Sequence, residues 1–111
     1  MGKSLDAIQA DERDWNNVKL GAMIVGASDL LKSISVDEIK IDSIKAVKRL
    51  YEYPLVDMVT NKVTGTQYNY HVMIVDGKYI YSFQIQTTSA DEFTKSIEVA
   101  DKILETISFP K

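Results

Sequence analysis

Residues 68–85 read YNYHVMIVDGKYIYSFQI and hold four of the six tyrosines and the single histidine of the chain. The stretch alternates with the two-residue period of a strand. At its centre Asp76-Gly77 is a dipeptide that supplies the two positive φ values of a type I′ hairpin turn. Pairing outward from that turn sets Val75 opposite Lys78, Ile74 opposite Tyr79, Met73 opposite Ile80 and His71 opposite Ser82. One face of the hairpin then collects Tyr68, Tyr70, Val72, Ile74, Tyr79, Tyr81, Phe83 and Ile85. The other collects Asn69, His71, Met73, Ile80, Ser82 and Gln84. The tyrosines therefore read as an apolar face for a helix to cover, not as an active-site cluster.

The covering helix follows. Ser89 stands three residues before Glu92, the spacing of a capping box. Beyond it Phe93, Ile97, Ala100, Leu104 and Ile107 recur on one helical face, with Lys95, Glu98, Asp101, Lys102 and Glu105 on the other. Pro110 lies past the expected end. Upstream, Glu38 to Ile41 and Ile44 to Tyr53 are β-rich runs separated by Asp42-Ser43, which predicts a second hairpin, although serine is a weak turn former. Pro54 to Thr66 reads either as a long loop or as two strand ends joined through Asn61 to Gly65.

In the first third, Ser4 to Asp14 predicts a short helix capped by Ser4, and Leu20, Met23, Ile24, Ala27 and Leu31 fit a second helical face. Gly21 and Gly26 count against that second helix by about 1 kcal/mol each relative to Ala, so a strand over Val18 to Val25 competes with it. Together the elements predict a single α+β domain over residues 1–111: an antiparallel sheet of at least four strands flanked by an N-terminal helix or helices and a C-terminal helix.

Composition narrows the function. Hydrophobic residues at 45% and charged residues at 26% describe a globular domain able to form a core, not a disordered chain. The net charge of −3, with Lys45, Lys48 and Arg49 as the only basic cluster, argues against nucleic acid. The chain has no cysteine, which excludes disulfides, thiolate metal sites and thiol redox chemistry. No apolar run approaches the roughly 20 residues of a membrane-spanning helix, and no basic-then-apolar signal segment opens the sequence.

The candidate sites are weak as chemistry. GAMIVGAS at residues 21–28 has the glycine spacing of a phosphate loop, but Ala27 stands where the lysine is needed. Asp11, Glu12 and Asp14 offer oxygen ligands for a hard cation, yet match no EF-hand and read better as a solvated helix face. His71 has no second histidine to share a metal with. Its expected neighbours Ser82, Asn69 and Gln84 include no carboxylate to orient it as a base. Trp15 reads as a packing residue. What remains is a surface: His71, Met73, Ile80 and Ser82, rimmed by Asn69 and Gln84, form a candidate protein-contact face if no helix covers them, with His71 adding pH sensitivity. If helices of the first third do cover it, Met73 and Ile80 become core and His71 is at least partly buried.

The order of elements resembles the PsbP-like family, which is named for an extrinsic photosystem II subunit and related to a nuclear-import factor that binds the Ran GTPase. The resemblance is carried by IKIDSIKAVKRLYEY (residues 39–53), YHVMIVDGKYIYSFQIQT (70–87), SADEF (89–93) and ILETISF (103–109). Matching positions are Ile41, Asp42, Ala46 and Tyr51; Gly77, Tyr79 and Tyr81; and Phe93, Ile103, Leu104, Ser108 and Phe109. Ser43 replaces the glycine usual in the first turn, and the N-terminal strand pair with its Y-P-x-x-W type signature is not visible, so either this is a shortened member or the first third is organised differently. The resemblance implies no cofactor, no enzymatic activity and a role in binding or assisting the assembly of another protein. It also implies an extracytoplasmic, often lipid-anchored setting. A small-molecule or divalent-cation-binding domain is the alternative.

Overall fold

Asp6 starts the first helix by accepting the Gln9 N–H at 2.8 Å, while the Gln9 side chain accepts the Asp6 N–H at 3.1 Å, so both members of a capping box are in place. The computed structural model describes residues 6–109; the Ser4 cap expected from the sequence lies outside them. Helix α1 then runs without a break over Ala7–Ile24, replacing both the short helix ending at Asp14 and the competing strand over Val18 to Val25. Gly26 ends it. With φ of 74° it forms a Schellman cap, its N–H bonded to the Met23 carbonyl and the Ala27 N–H to the Ala22 carbonyl. A 3₁₀ turn, Ser28–Leu30, leads into the sheet.

Four antiparallel strands follow in sequence order: β1 Lys32–Ile41, β2 Ile44–Asp57, β3 Lys62–Asp76 and β4 Tyr79–Thr87. Helix α2, Ala90–Thr106, completes the chain. This is the α+β arrangement expected from the sequence. Asp42 and Ser43 form the first turn with φ of 50° and 69°, as a two-residue connection with both φ values positive. The segment after Tyr53 resolves into two strand ends. They meet through residues 58–61, where Asp57 accepts the Val59 N–H and Asn61 takes φ of 58°, while Gly65 lies within β3. Pro54 is tolerated in β2 because β1 begins opposite Glu52, so past that point β2 has only β3 beside it.

The third hairpin corrects the expected register. Asp76 pairs with Tyr79, Ile74 with Tyr81 and His71 with Gln84, because the turn is Gly77-Lys78 and not Asp76-Gly77. Only Gly77 holds a positive φ, 62°, which suits a II′ turn with glycine first. The slip moves each pairing by two positions and so preserves both faces.

Helix α2 lies on the aromatic face. Ser89 caps it by accepting the Glu92 N–H at 3.3 Å, but the Ser89 N–H goes to Thr87 and the reciprocal half of the expected box is not made. Phe93, Ala100 and Leu104 pack with Ile41, Ala46, Tyr70, Val72 and Ile74 in one buried cluster, and Phe93 stacks on Tyr68 at 5.6 Å. Tyr79 and Tyr81 lie beyond the reach of the helix and are exposed. Helix α1 lies on the opposite face, over β2 and β3. The result is a helix–sheet–helix slab of 50 × 39 × 20 Å whose radius of gyration, 15.4 Å, exceeds the roughly 13 Å of a compact domain of this length.

Candidate functional site

The face beneath α1 gathers the polar groups of the molecule. Alternation turns Val47, Arg49 and Tyr51 of β2 and Asn69, His71 and Met73 of β3 toward α1, and pairing aligns Arg49, His71 and Gln84 in one row across three strands. Helix α1 lays Ala7, Ala10, Asp11 and Ala22 against this face, the small residues permitting close approach. At Gly21 a Cβ would come within 3.0 Å of the Tyr53 hydroxyl, which accounts for a glycine inside the helix.

Asp11 and Arg49 make the central contact. The Arg49 Nη2 donates to Asp11 Oδ2 at 2.7 Å, its Nε donates at 3.2 Å to both carboxylate oxygens, and its Nη1 donates to the Ser33 hydroxyl at 3.2 Å. The Trp15 ring covers the guanidinium at 4.5 Å and meets Tyr51 edge-on at 5.2 Å. Asp11 is 2% exposed. The acidic run is therefore not the solvated face its composition suggests: its first member is turned inward and neutralised.

His71 is buried in the same layer. Its Nδ1 stands 3.7 Å from Asp14 Oδ2, beyond hydrogen-bond reach, and has no hydrogen-bond partner among the described residues. Sequence reasoning expected no carboxylate near this ring; α1 supplies one from outside the sheet. Burial, then the neighbouring Asp14 and Tyr53, push the Tyr51 phenol up to about 12, with Arg49 pulling the other way. On the α2 face Tyr70 donates to Asp101 at 2.6 Å and Lys48 donates to the same oxygen at 3.2 Å. Burial first, then that hydrogen bond, hold the Tyr70 phenol well above its ordinary value.

The four candidate contact residues are divided by this arrangement. His71 and Met73 are buried under α1, while Ile80 and Ser82 remain exposed on β4. Lys48 and Arg49, read as part of a basic cluster, point to opposite faces and each has a carboxylate partner. The acidic run retains only Glu12 and Asp14 with carboxylates free of Arg49, fewer than the oxygens a calcium site needs. No three His, Cys, Asp or Glu side chains gather in a metal-holding group among the described residues. A groove of about 260 Å³ opens between α1 and β1, with Ile8, Val36 and Val47 on its walls and the occupied Asp11–Arg49 pair at its base.

Sequence reasoning names Asp11 and Arg49 in separate clusters and misses their pairing. A signal was present in an arginine between Val47 and Tyr51 on one face of an alternating strand, which demands a buried partner. No protein-family model, curated protein or solved structure matches this chain. Its class is defined by the fold: an α+β slab with one apolar and one polar helix–sheet interface.

Proposed function

We propose that the chain is a non-catalytic protein-binding or assembly-assisting module of the PsbP-like kind. The observation that supports this reading is the inversion of α1. The helix buries Asp11 and exposes Leu20, Met23 and Ile24, which are 49%, 60% and 73% accessible. Sequence periodicity marks those three as a packing face, and in the fold that face points away from the sheet. With a rotation of about 100° per residue, Arg13, Asn16 and Asn17 share this outward side. An apolar stripe rimmed by polar residues is the form of a protein-contact surface. The cation-binding alternative loses support because its strongest ligand, Asp11, is already bonded to Arg49.

The test places a photo-crosslinking residue at Met23 and, as a control, at Lys102 on α2, in cells that naturally make the protein. A discrete protein adduct at position 23 that disappears with Leu20→Lys is the expected result. No adduct at position 23, with calcium or manganese instead shifting the Asp11 to Asp14 resonances at sub-millimolar concentration, would replace this reading with the cation-binding one.

A further inference from the structure

The two free edges of the sheet are built differently. β1 carries Lys32, Asp37, Glu38 and Lys40, and its pairing with β2 shifts register between Ser33 and Ser35. Charge and irregularity of this kind keep an edge strand from pairing with another chain. β4, YIYSFQIQT, has neither protection: it contains no charged residue and no proline, and it keeps regular register with β3 from Asp76–Tyr79 to Tyr68–Thr87. As the last strand of the sheet it presents one outward row of backbone N–H and C=O groups.

One face beside this edge is open and the other is covered only in part, by α2 over the half-buried Phe83 and Ile85 and by Phe109 against Tyr81 at 5.2 Å. α1 does not reach it, so Ile80, Ser82, Gln84 and Gln86 are exposed. On the other side, Asp101 turns one flank of α2 toward β2 and β3 through Lys48 and Tyr70. Helical rotation sets Val99 and Ile103 on the opposite flank, toward β4, and both are exposed, as are Tyr79 and Tyr81.

We infer that β4 is a dimerisation edge whose occupant is the β4 of a second copy, running antiparallel across a two-fold axis. Three features select a second copy. Neither β4 nor the Val99 and Ile103 positions carry charge, so two chains of net charge −3 approach here without setting like charges against each other. The strand is its own complement: centred on Phe83, Tyr81 meets Ile85 and Ile80 meets Gln86, which joins the two sheets into one of eight strands. The charged β1 edge then stops further growth, giving a closed dimer and not a fibre.

The area sets the strength. Nine residues at about 3.3 Å each give roughly 30 Å of edge, and with the 20 Å thickness of the slab the contact is on the order of 600 Å² per copy. That is below the roughly 800 Å² per partner of a standard stable interface, so the dimer is concentration-dependent, with a Kd in the micromolar range. This inference concerns a different surface from the α1 stripe, and the failure of either leaves the other standing.

Sedimentation of the full chain from about 5 to about 500 µM, with hydrogen exchange of β4 amides at both ends of that range, tests it. A monomer–dimer equilibrium with β4 protection growing with concentration is expected. Ser82→Lys combined with Gln84→Lys opposes lysines across the two-fold and weakens association at least about tenfold. Val99→Lys, on an exposed helix position that cannot disturb the strand, weakens it independently, whereas Val36→Lys on β1 leaves it unchanged. A monomer at every concentration overturns the inference. So does a dimer indifferent to both β4 and Val99 changes, or one lost only when Leu20 or Met23 is altered.

Discussion

On one face of the sheet Phe93, Ala100 and Leu104 settle onto Tyr70, Val72 and Ile74; on the other, Asp11 reaches Arg49 beneath a Trp15 ring, with the small residues Ala7, Ala10 and Ala22 around it. The first contact is non-directional and accumulates with area. The second is directional: one carboxylate, two guanidinium nitrogens and an aromatic cover have to coincide, so it selects a position for α1 that apolar contact alone would leave loose. The exposed Leu20, Met23 and Ile24 follow from that difference. A helix held by a bonded pair can spare its larger apolar side chains for the outside.

Breaking the pair gives the largest expected effect. Asp11→Ala or Arg49→Ala leaves a buried charge without its partner and should destabilise by about 3 to 5 kcal/mol in urea titration. Asp11→Leu with Arg49→Met removes both charges, and should recover most of that loss or exceed the parent stability. The decisive readout is the double variant's exchange pattern: α1 amides opening faster than those of α2 would show that the pair had been fixing the helix's position. Single losses under about 0.5 kcal/mol would mean that the pair holds nothing.

The apolar face comes next. Phe93→Ala or Leu104→Ala removes a buried side chain from the main cluster and should destabilise by about 2 to 5 kcal/mol. The two faces also differ in how readily their sequence was read. Phe93, Ala100 and Leu104 announce themselves because apolar periodicity is a local property that reports burial directly. Asp11 does not: its burial depends on Arg49, 38 residues away, and no local pattern contains that contact. For the same reason periodicity marks Leu20, Met23 and Ile24 as a packing face although they form the outer one. Alternation places His71 on the correct side of the hairpin, but the neighbouring Asp14 comes from a helix whose position no local pattern supplies. At the β4 turn the difference is smaller. The Asp-Gly dipeptide predicts positive φ at both Asp76 and Gly77, whereas the backbone needs it at Gly77 only.

A smaller effect compares the hydroxyls buried on the two faces. Tyr70→Phe removes a hydrogen bond to Asp101 on the α2 side, and should destabilise by about 1.5 kcal/mol, the low end for a charged acceptor, because the Asp101 side chain is 45% exposed and stays solvated. On the α1 side the Tyr51 phenol is raised from 10.0 to about 12. Between those values the unfolded chain releases this proton and the folded one keeps it. The contribution is therefore complete below pH 10 and is lost as pH rises toward about 12. Tyr51→Phe should make the alkaline fall in stability shallower, seen by denaturation at a series of pH values. An unchanged slope would remove Tyr51 as its source.

The smallest effect tests whether the two faces respond separately at all. The turn between β1 and β2 belongs to both, since each strand contributes to both interfaces, and Asp42 also accepts the Phe109 N–H at 2.9 Å after α2 has ended. Ser43 holds φ of 69° there, a left-handed conformation that costs a non-glycine residue about 1 kcal/mol. Ser43→Gly relieves that strain but adds backbone freedom to the unfolded chain, so the net gain should be about 0.5 kcal/mol. Because the change touches neither Asp11–Arg49 nor the Phe93 cluster, it should raise the protection of slowly exchanging amides in α1 and α2 by the same factor. Unequal changes would show that the helices open independently, and the Asp11 and Phe93 variants would then report local openings of separate faces instead of the stability of one cooperative slab.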